Sequence, residues 1–171
     1  VLAAALSIQD PRERPMDLEN QADVAHAVFR DPRSDFLTLL NIWNGIWGDA
    51  AEKRTQSQLR RTCKERFLSC RRMREWRDIH GEISEILEEM GGFAAQNESP
   101  GYETIHRAVL SGYLSHLCMR REKNLYLCSK GRQAMVFPGS GLFNRGGSWL
   151  VAAELVQTNR LYARTVAAVE P

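Results

Sequence analysis

The chain has 171 residues, of which 43% are hydrophobic and 26% are charged, and its net charge is +2 at pH 7. This composition is typical of a globular protein with one sizeable hydrophobic core or two small ones. No run of residues approaches the roughly 18 apolar residues of a membrane span. Residues 1–8 are too few to span a membrane, and they lack the basic region of a signal peptide. The sequence therefore predicts neither feature.

The cysteines Cys63, Cys70, Cys118 and Cys128 show no Cys-x-x-Cys spacing, and none lies beside a histidine at zinc-ligand spacing. This pattern favours buried, reduced thiols in a cytoplasmic protein and no metal site. The chain also starts without methionine, inside what reads as the last turns of a helix. We therefore expect it to be a fragment of a longer protein.

Apolar residues recur at helical spacing over the first 123 residues. The prolines of residues 10–15 end the first helix, and Asp31-Pro32 ends the second. Ser34 is placed to cap the third helix. The second helix is expected to bury Ala22, Ala25, Val28 and Phe29. The third is expected to bury Phe36, Leu39, Leu40, Trp43 and Trp47, with both tryptophans in the core rather than forming a stacking platform.

Two further helical stretches follow. After a polar connection at residues 48–58, a helical pair is predicted over residues 59–90, with a break near Cys63-Lys64 and a stop at Gly91-Gly92. Its longer helix is expected to direct inward Phe67, Cys70, Ile79, Ile83, Ile86, Leu87 and Met90. A loop at residues 97–101 then leads to a last helix over residues 102–117.

The hydrophobic period changes near residue 124. Residues 125–137 and 149–169 alternate, with a turn signal at Lys130-Gly131 and a hairpin turn at Thr158-Asn159. The intervening Gly139-Ser140-Gly141 is too short for a nucleotide cradle and is interpreted as a turn. About four strands suit a small barrel. We predict an α+β fold, with a helical domain over residues 1–123 and a β-domain over residues 124–171.

The motifs of the common catalytic sites are missing from the sequence. It contains no phosphate-binding loop, no nucleophile elbow and no His-Glu-x-x-His. Four isolated histidines are interpreted as surface or structural residues: His26, His80, His106 and His116. On these grounds we expect this chain to catalyse nothing by itself.

Basic residues cluster in the middle of the chain, at Arg60, Arg61, Lys64, Arg66, Arg71, Arg72, Arg74 and Arg77. Such a stretch suggests an anionic partner, although a solvated helix face is its usual cause. Both interpretations stay open at this point.

The last hairpin carries a more specific pattern. Arg160, Tyr162 and Arg164 alternate and so project from one face of a strand. Cations that meet phosphates beside a ring that stacks on a base are typical of single-strand-binding barrels. The alternative is a cross-strand ion pair between Arg164 and Glu154. A two-residue turn places Ala153 opposite Arg164, whereas a three-residue turn places Glu154 there.

Several segments, in order along the chain, carry a family resemblance: ALSIQDPRERP (residues 5–15), FLTLLN (36–41), REWRDI (74–79), VFPGSGLF (136–143) and WLVAAELVQT (149–158). Together they resemble the helicase-associated, ratchet-like region and the following OB-fold of DEAH-box RNA helicases, nearest to the bacterial HrpA-type branch. The resemblance covers essentially the whole chain. It implies a C-terminal-side fragment whose OB-fold is incomplete, because the long C-terminal extension of that branch is missing.

The resemblance also implies a function. The parent would be an ATP-dependent 3′-to-5′ RNA helicase whose RecA-like motor domains, with their ATP and Mg²⁺, lie upstream. This fragment would help to line the channel for single-stranded RNA, dock on the motor domains and, in some members, meet an activator protein. Carried over by position, the residues nearest RNA are Lys130, Arg132, Thr158, Arg160, Tyr162 and Arg164 in the OB-fold, and Arg71 and Arg74 in the ratchet-like part.

Two other hypotheses remain. The fragment could be a protein-interaction scaffold for the motor domains or an activator, with RNA contact incidental. A free-standing enzyme is the third class, and the missing site chemistry disfavours it.

Overall fold

A computed structural model describes residues 1–48, 55–91 and 100–170. The chain divides into two compact units. The helical unit comprises Val1–Arg30 and Thr38–Ala95, and the barrel unit comprises Asp31–Leu37 and Gln96–Pro171. Within the described residues, no helix is both long enough and apolar enough to cross a membrane. Most of the connection predicted at residues 48–58 and part of the loop predicted at 97–101 lie outside the described residues.

The helices follow the predicted order. They are α1 (Leu2–Ala5), α2 (Glu19–Ala27), α3 (Asp35–Trp47), α4 (Gln56–Glu65), α5 (Cys70–Glu89) and α6 (Tyr102–Gly112). The Ser34 hydroxyl accepts the Leu37 N–H at 3.1 Å, which confirms the predicted cap of α3. Thr55 and Gln58 form a reciprocal capping box at the start of α4. Gly91, with φ of +109°, follows the end of α5, as the stop signal predicted.

The core of the helical unit forms around the tryptophans. Trp76 is fully buried, and its ring centroid lies 5.3 Å from that of Trp43. Trp43 and Trp47 pack against the same cluster, which confirms that they are core residues. Ile42, Ile46 and Met73 are at most 1% exposed in this cluster. Most of the apolar stripe of α3 therefore packs in this core, whereas Phe36 at its start belongs to the barrel unit and contacts His106.

Several helical predictions were wrong. Cys70, Ile79 and Ile83 pack against the core as predicted, but Ile86 and Leu87 near the end of α5 and Met90 just after it are exposed. Val28, which follows the end of α2, is 63% exposed. The break in the helical pair lies at residues 66–69, and Phe67 adopts a positive φ there. Helical spacing identifies an apolar face, but it does not show how far along a helix other elements cover that face.

The barrel unit contains a closed five-stranded barrel in the order β1-β2-β3-β5-β4. Its strands are β1 (Leu117–Arg120), β2 (Leu125–Cys128), β3 (Gln133–Val136), β4 (Trp149–Gln157) and β5 (Leu161–Val169). All neighbouring pairs are antiparallel except β3 and β5, which are parallel. The small barrel and its turns are confirmed. Strand β1 was missed, because its residues continue a helical apolar pattern that ends structurally at Gly112.

The expectation of reduced cysteines was wrong for two of the four residues. Cys118 on β1 and Cys128 on β2 are cross-strand partners and form a disulfide. Both are at most 4% exposed in the barrel core. The prediction placed Cys118 between the last helix and the first strand, so antiparallel pairing of the two residues could not be foreseen. Once β1 is recognised, the register alone brings them together.

His106 on α6 is a buried polar centre of the barrel unit. It is 3% exposed, its Nδ1 lies 2.6 Å from the Tyr102 carbonyl oxygen, and its Nε2 lies 2.6 Å from the Ser34 hydroxyl. A carbonyl only accepts, so Nδ1 carries the proton and Nε2 accepts from Ser34. The Tyr102 hydroxyl in turn donates to the Ala168 carbonyl at 2.6 Å, and burial raises the pKa of Tyr102 to about 12. The structural role predicted for His106 is confirmed.

Acidification is expected to destabilise the barrel unit through His106. Burial lowers the pKa of His106 below its usual 6.5, against the opposing effect of its bond to the Tyr102 carbonyl. The unfolded state therefore binds the proton more readily, so stability is complete above about pH 6.5 and declines as the pH falls below it. Urea unfolding between pH 7.5 and 5 should show this decline in wild type and a flatter profile in His106→Gln. Equal pH dependence in both proteins would contradict this assignment.

Candidate nucleic-acid interface

Two basic turns lie at the same end of the barrel. Strands β3 and β5 run parallel, with Met135 paired to Tyr162, so both strands begin at the same end of the barrel. The turns that precede them, residues 129–132 and 158–160, therefore meet there. The Arg160 guanidinium donates to the Met135 sulfur at 3.3 Å, which agrees with this placement. The topology thus brings together four sequence-predicted residues: Lys130, Arg132, Thr158 and Arg160.

An aromatic and cationic cluster continues from these turns along the outer face of β5. The rings of Tyr162 and Phe137 meet edge to face, with centroids 5.9 Å apart. The Arg164 guanidinium carbon lies 4.8 Å from the centroid of the Phe137 ring. Phe137 is 37% exposed, so a ring of this cluster is open to solvent. We call these three residues and the two turns the β3–β5 surface.

The hairpin register resolves the alternatives for Arg164. Gln157 pairs with Leu161, so the turn has three residues, and Glu154 lies opposite Arg164. Even so, the ion pairs among the described residues do not join these two side chains. The Arg164 guanidinium stacks on Phe137 instead. The three-residue alternative is therefore correct about register, but the ion pair that it suggested is not formed.

A local backbone feature sets which side chains of β5 face outward. Ala163 and Val166 both face the barrel core, although strict alternation would place them on opposite faces. Thr165 between them has φ of +50°, in the left-handed region that a β-branched residue rarely adopts. This residue shifts the alternation by one position. Arg164 lies on the outer face, as regular alternation from Ala163 requires, and the shift at Thr165 returns Val166 to the core.

Phe137 was missed as a site residue. Ala134 and Val136 on β3 are fully buried, so the alternation continues to Phe137 on the outer side. That alternation, together with an aromatic residue directly before Pro138, is the sequence signal that could have identified Phe137. Its neighbours across the strand pair could not be inferred, because the parallel pairing of β3 with β5 joins segments distant in sequence.

The remaining predicted residues, Arg71 and Arg74, belong to the helical unit. Arg71 is exposed, whereas Arg74 donates to the Cys70 carbonyl of its own helix at 3.4 Å. The neighbouring Arg72 donates to the Asp10 carbonyl and to the Gln9 side chain. Arg61 forms an exposed ion pair with Glu65. The basic stretch therefore serves several local roles, and its residues do not form part of the β3–β5 surface.

A buried carboxylate underlies the β3–β5 surface. Asp35, in the first turn of α3, is 6% exposed. It accepts hydrogen bonds from the Ser140 hydroxyl at 2.6 Å, the Gly141 N–H at 3.0 Å and the Val166 N–H at 3.0 Å. No sequence signal marked this residue, because its partners lie more than 100 positions away.

Comparisons with known proteins agree with the small β-barrel described above. The family described as oligonucleotide/oligosaccharide-binding (OB)-fold matches residues 105–171. The ATP-dependent RNA helicase HrpA of Escherichia coli K12 is 40% identical over 172 residues, and its Haemophilus influenzae homologue is 41% identical. Both alignments cover the whole of this chain. The chain is homologous to one segment of HrpA-type RNA helicases.

This similarity extends beyond the bacterial branch. The pre-mRNA-splicing factor ATP-dependent RNA helicase prp22 of Schizosaccharomyces pombe is 28% identical over 174 residues and covers 99% of the chain. The chain spans only 13% of the length of either bacterial HrpA-type relative. Across the described ranges, no group of three or more His, Cys, Asp or Glu side chains is arranged to hold a metal ion.

Proposed function

We propose that this segment binds single-stranded RNA through the β3–β5 surface, as an accessory part of an ATP-dependent 3′-to-5′ RNA helicase of the DEAH-box class. The observation that carries the proposal is the contact of Phe137 with both Tyr162 and Arg164 beside two basic turns. Homology to HrpA-type helicases supports RNA as the ligand. In this role the segment would help to form the RNA channel.

The chemistry of the surface suits an unpaired strand. A base offers a flat face to Tyr162 or Phe137 only when it is not stacked within a duplex. Exposed cations at Lys130, Arg132 and Arg160 can meet successive phosphates, and this contribution is independent of sequence. We therefore expect weak binding with little base preference.

The other parts of the reaction would lie outside this chain. ATP and Mg²⁺ would be bound by the RecA-like motor domains of the same polypeptide, which this segment would contact. We expect the parent protein to act in the cytoplasm, and the segment alone to show no ATPase activity. Hydrolysis by the purified segment would contradict that assignment.

Replacing Tyr162 tests the stacking contribution directly. Tyr162→Leu should weaken binding to single-stranded oligo-U about 5- to 150-fold, because stacking on one aromatic ring contributes roughly 1–3 kcal/mol. Tyr162→Phe is the matched control, since it keeps the ring, and its affinity should stay within about twofold of wild type. Fluorescence anisotropy at low salt measures both. Equal losses in the two variants, or no loss in either, would contradict stacking at this position.

A second candidate function is a protein-interaction scaffold. Val24 on α2 and Val28 directly after its end are 72% and 63% exposed, and Met16 is 89% exposed. Such residues are often covered by a partner. In this reading they would contact the motor domains of the same polypeptide, and RNA contact at the barrel would be incidental. If RNA still stimulated the ATPase activity of the full-length protein after the cations on the β3–β5 surface were replaced, this alternative would be favoured.

A further inference from the structure

Asp35 joins two segments that carry separate parts of the β3–β5 surface. Its Oδ1 accepts from Gly141, and its Oδ2 accepts from Ser140 in the loop after β3 and from Val166 on β5. Phe137 begins that loop, and Arg164 lies two residues before Val166. One carboxylate therefore lies behind both partners of the Phe137–Arg164 contact.

The loop after β3 leaves Phe137 little freedom. The Phe137 N–H donates to the Ala163 carbonyl at 3.0 Å, and its own carbonyl accepts from the Ser140 N–H at 3.0 Å. Ser140 is then fixed by Asp35 through its hydroxyl, which also accepts the Leu142 N–H at 3.0 Å. The position of the ring depends on this short turn, and the turn is held from one side by Asp35.

On β5, Asp35 supports the kinked backbone directly after Arg164. Thr165 is left-handed, and the N–H of the fully buried Val166 donates to Asp35. A buried N–H without a partner is costly, so without this carboxylate the kink at Thr165 would be disfavoured. Regular alternation already places Arg164 on the outer face, so a relaxed strand would instead move Val166 out of the core and shift the backbone behind the Phe137–Arg164 contact.

We propose that Asp35 is a positioning residue for nucleic-acid binding, and that it holds Phe137 and Arg164 in contact so that the ring is presented to an unpaired base. This inference rests on the proposed function. It assigns Asp35 no contact with the ligand. Replacing Asp35 is expected to lower the affinity only when the protein retains Phe137 and the nucleic acid carries bases.

A double-mutant cycle on the affinity for single-stranded oligo-U tests this role. Asp35→Asn keeps the shape of the side chain but offers a single acceptor oxygen, so at least one of the three bonds is lost. Phe137→Leu should weaken binding about tenfold through lost stacking. Asp35→Asn should weaken it severalfold, and the double variant should be no weaker than Phe137→Leu alone.

A second ligand separates positioning from general structural support. An oligomer of ribose phosphate without bases cannot stack, so Asp35→Asn and wild type should bind it equally. If Asp35 had a purely structural role, Asp35→Asn would lower the affinity for both ligands. The fold-losses of Asp35→Asn and Phe137→Leu would then multiply in the double variant. Ser140→Ala, which removes only the loop contact, should show the same ligand dependence with a smaller loss. It provides the same test if Asp35→Asn does not fold.

The outcomes distinguish this inference from the proposed function. If Phe137→Leu binds oligo-U as wild type does, the β3–β5 surface is not a stacking site and the proposed function fails there. If Phe137→Leu weakens binding but the Asp35→Asn loss multiplies with it, or extends to the base-free oligomer, only the positioning role is overturned.

Discussion

Reversing the charges of Arg160 and Arg164 together is expected to weaken binding to single-stranded RNA about 100-fold at low salt. Each arginine is expected to make a charge-assisted contact to phosphate, and the loss of one such contact at an exposed site costs about tenfold. Both side chains lie on the β3–β5 surface, where the reversed charges would also repel the strand. The variant is Arg160→Glu/Arg164→Glu, and fluorescence anisotropy with oligo-U measures the loss.

The matched control makes the same change in net charge at two other positions of the chain. Arg30 and Arg107 are exposed and lie outside the β3–β5 surface as defined. Arg30→Glu/Arg107→Glu should weaken binding only slightly, through the overall charge. In the proposed full-length helicase, the Arg160/Arg164 variant should lose RNA-stimulated ATPase activity while its fold stays intact. Unchanged RNA dependence would contradict the RNA-binding role and favour the scaffold alternative.

Removing the Trp76 side chain is expected to lower the free energy of unfolding of the helical unit by about 3–5 kcal/mol. Trp76 is fully buried, its ring contacts Trp43, and its indole N–H donates to the Val1 carbonyl at 3.1 Å. Trp76→Ala would leave a cavity in the centre of this core and remove that hydrogen bond. Hydrogen exchange of the α3 and α5 amides under native conditions reports the change.

Ile86 on the same helix provides the control for Trp76. It was predicted to face inward, yet it is 55% exposed. Ile86→Ala should therefore change the unfolding free energy by less than about 0.5 kcal/mol. A cost for Ile86→Ala similar to that of Trp76→Ala would show that the end of α5 is buried, and it would contradict the described core.

Local patterns were enough to predict most of the elements. The Ser34 cap, the apolar stripe of α3 and the alternation of β4 and β5 all depend on nearby residues, so spacing reveals them. Strand β1 has four residues, and the prediction placed them at the end of the last helix and in the connection that follows it. That error also hid the Cys118–Cys128 pair, because cross-strand partners cannot be matched when one strand is missing.

The candidate site could be predicted only in part. Tyr162 and Arg164 share a strand and Arg160 directly precedes it, so their alternation is visible in the sequence. Phe137 joins them through parallel pairing, and Asp35 reaches Ser140 and Val166 across 105 and 131 positions. Contacts over such separations are fixed by topology and leave no periodic trace. The left-handed Thr165 breaks the alternation of β5 only beyond Arg164, and residue spacing gives no sign of it.

The salt dependence of oligo-U binding tests the central claim most directly. With about three to five phosphate contacts, the logarithm of the binding constant should fall against the logarithm of salt concentration with a slope of roughly −2 to −3.5. The Arg160→Glu/Arg164→Glu variant should show a slope shallower by about 1.4, because two contacts are removed. Binding that is undetectable at low salt, or independent of salt, would contradict an RNA interface on the β3–β5 surface.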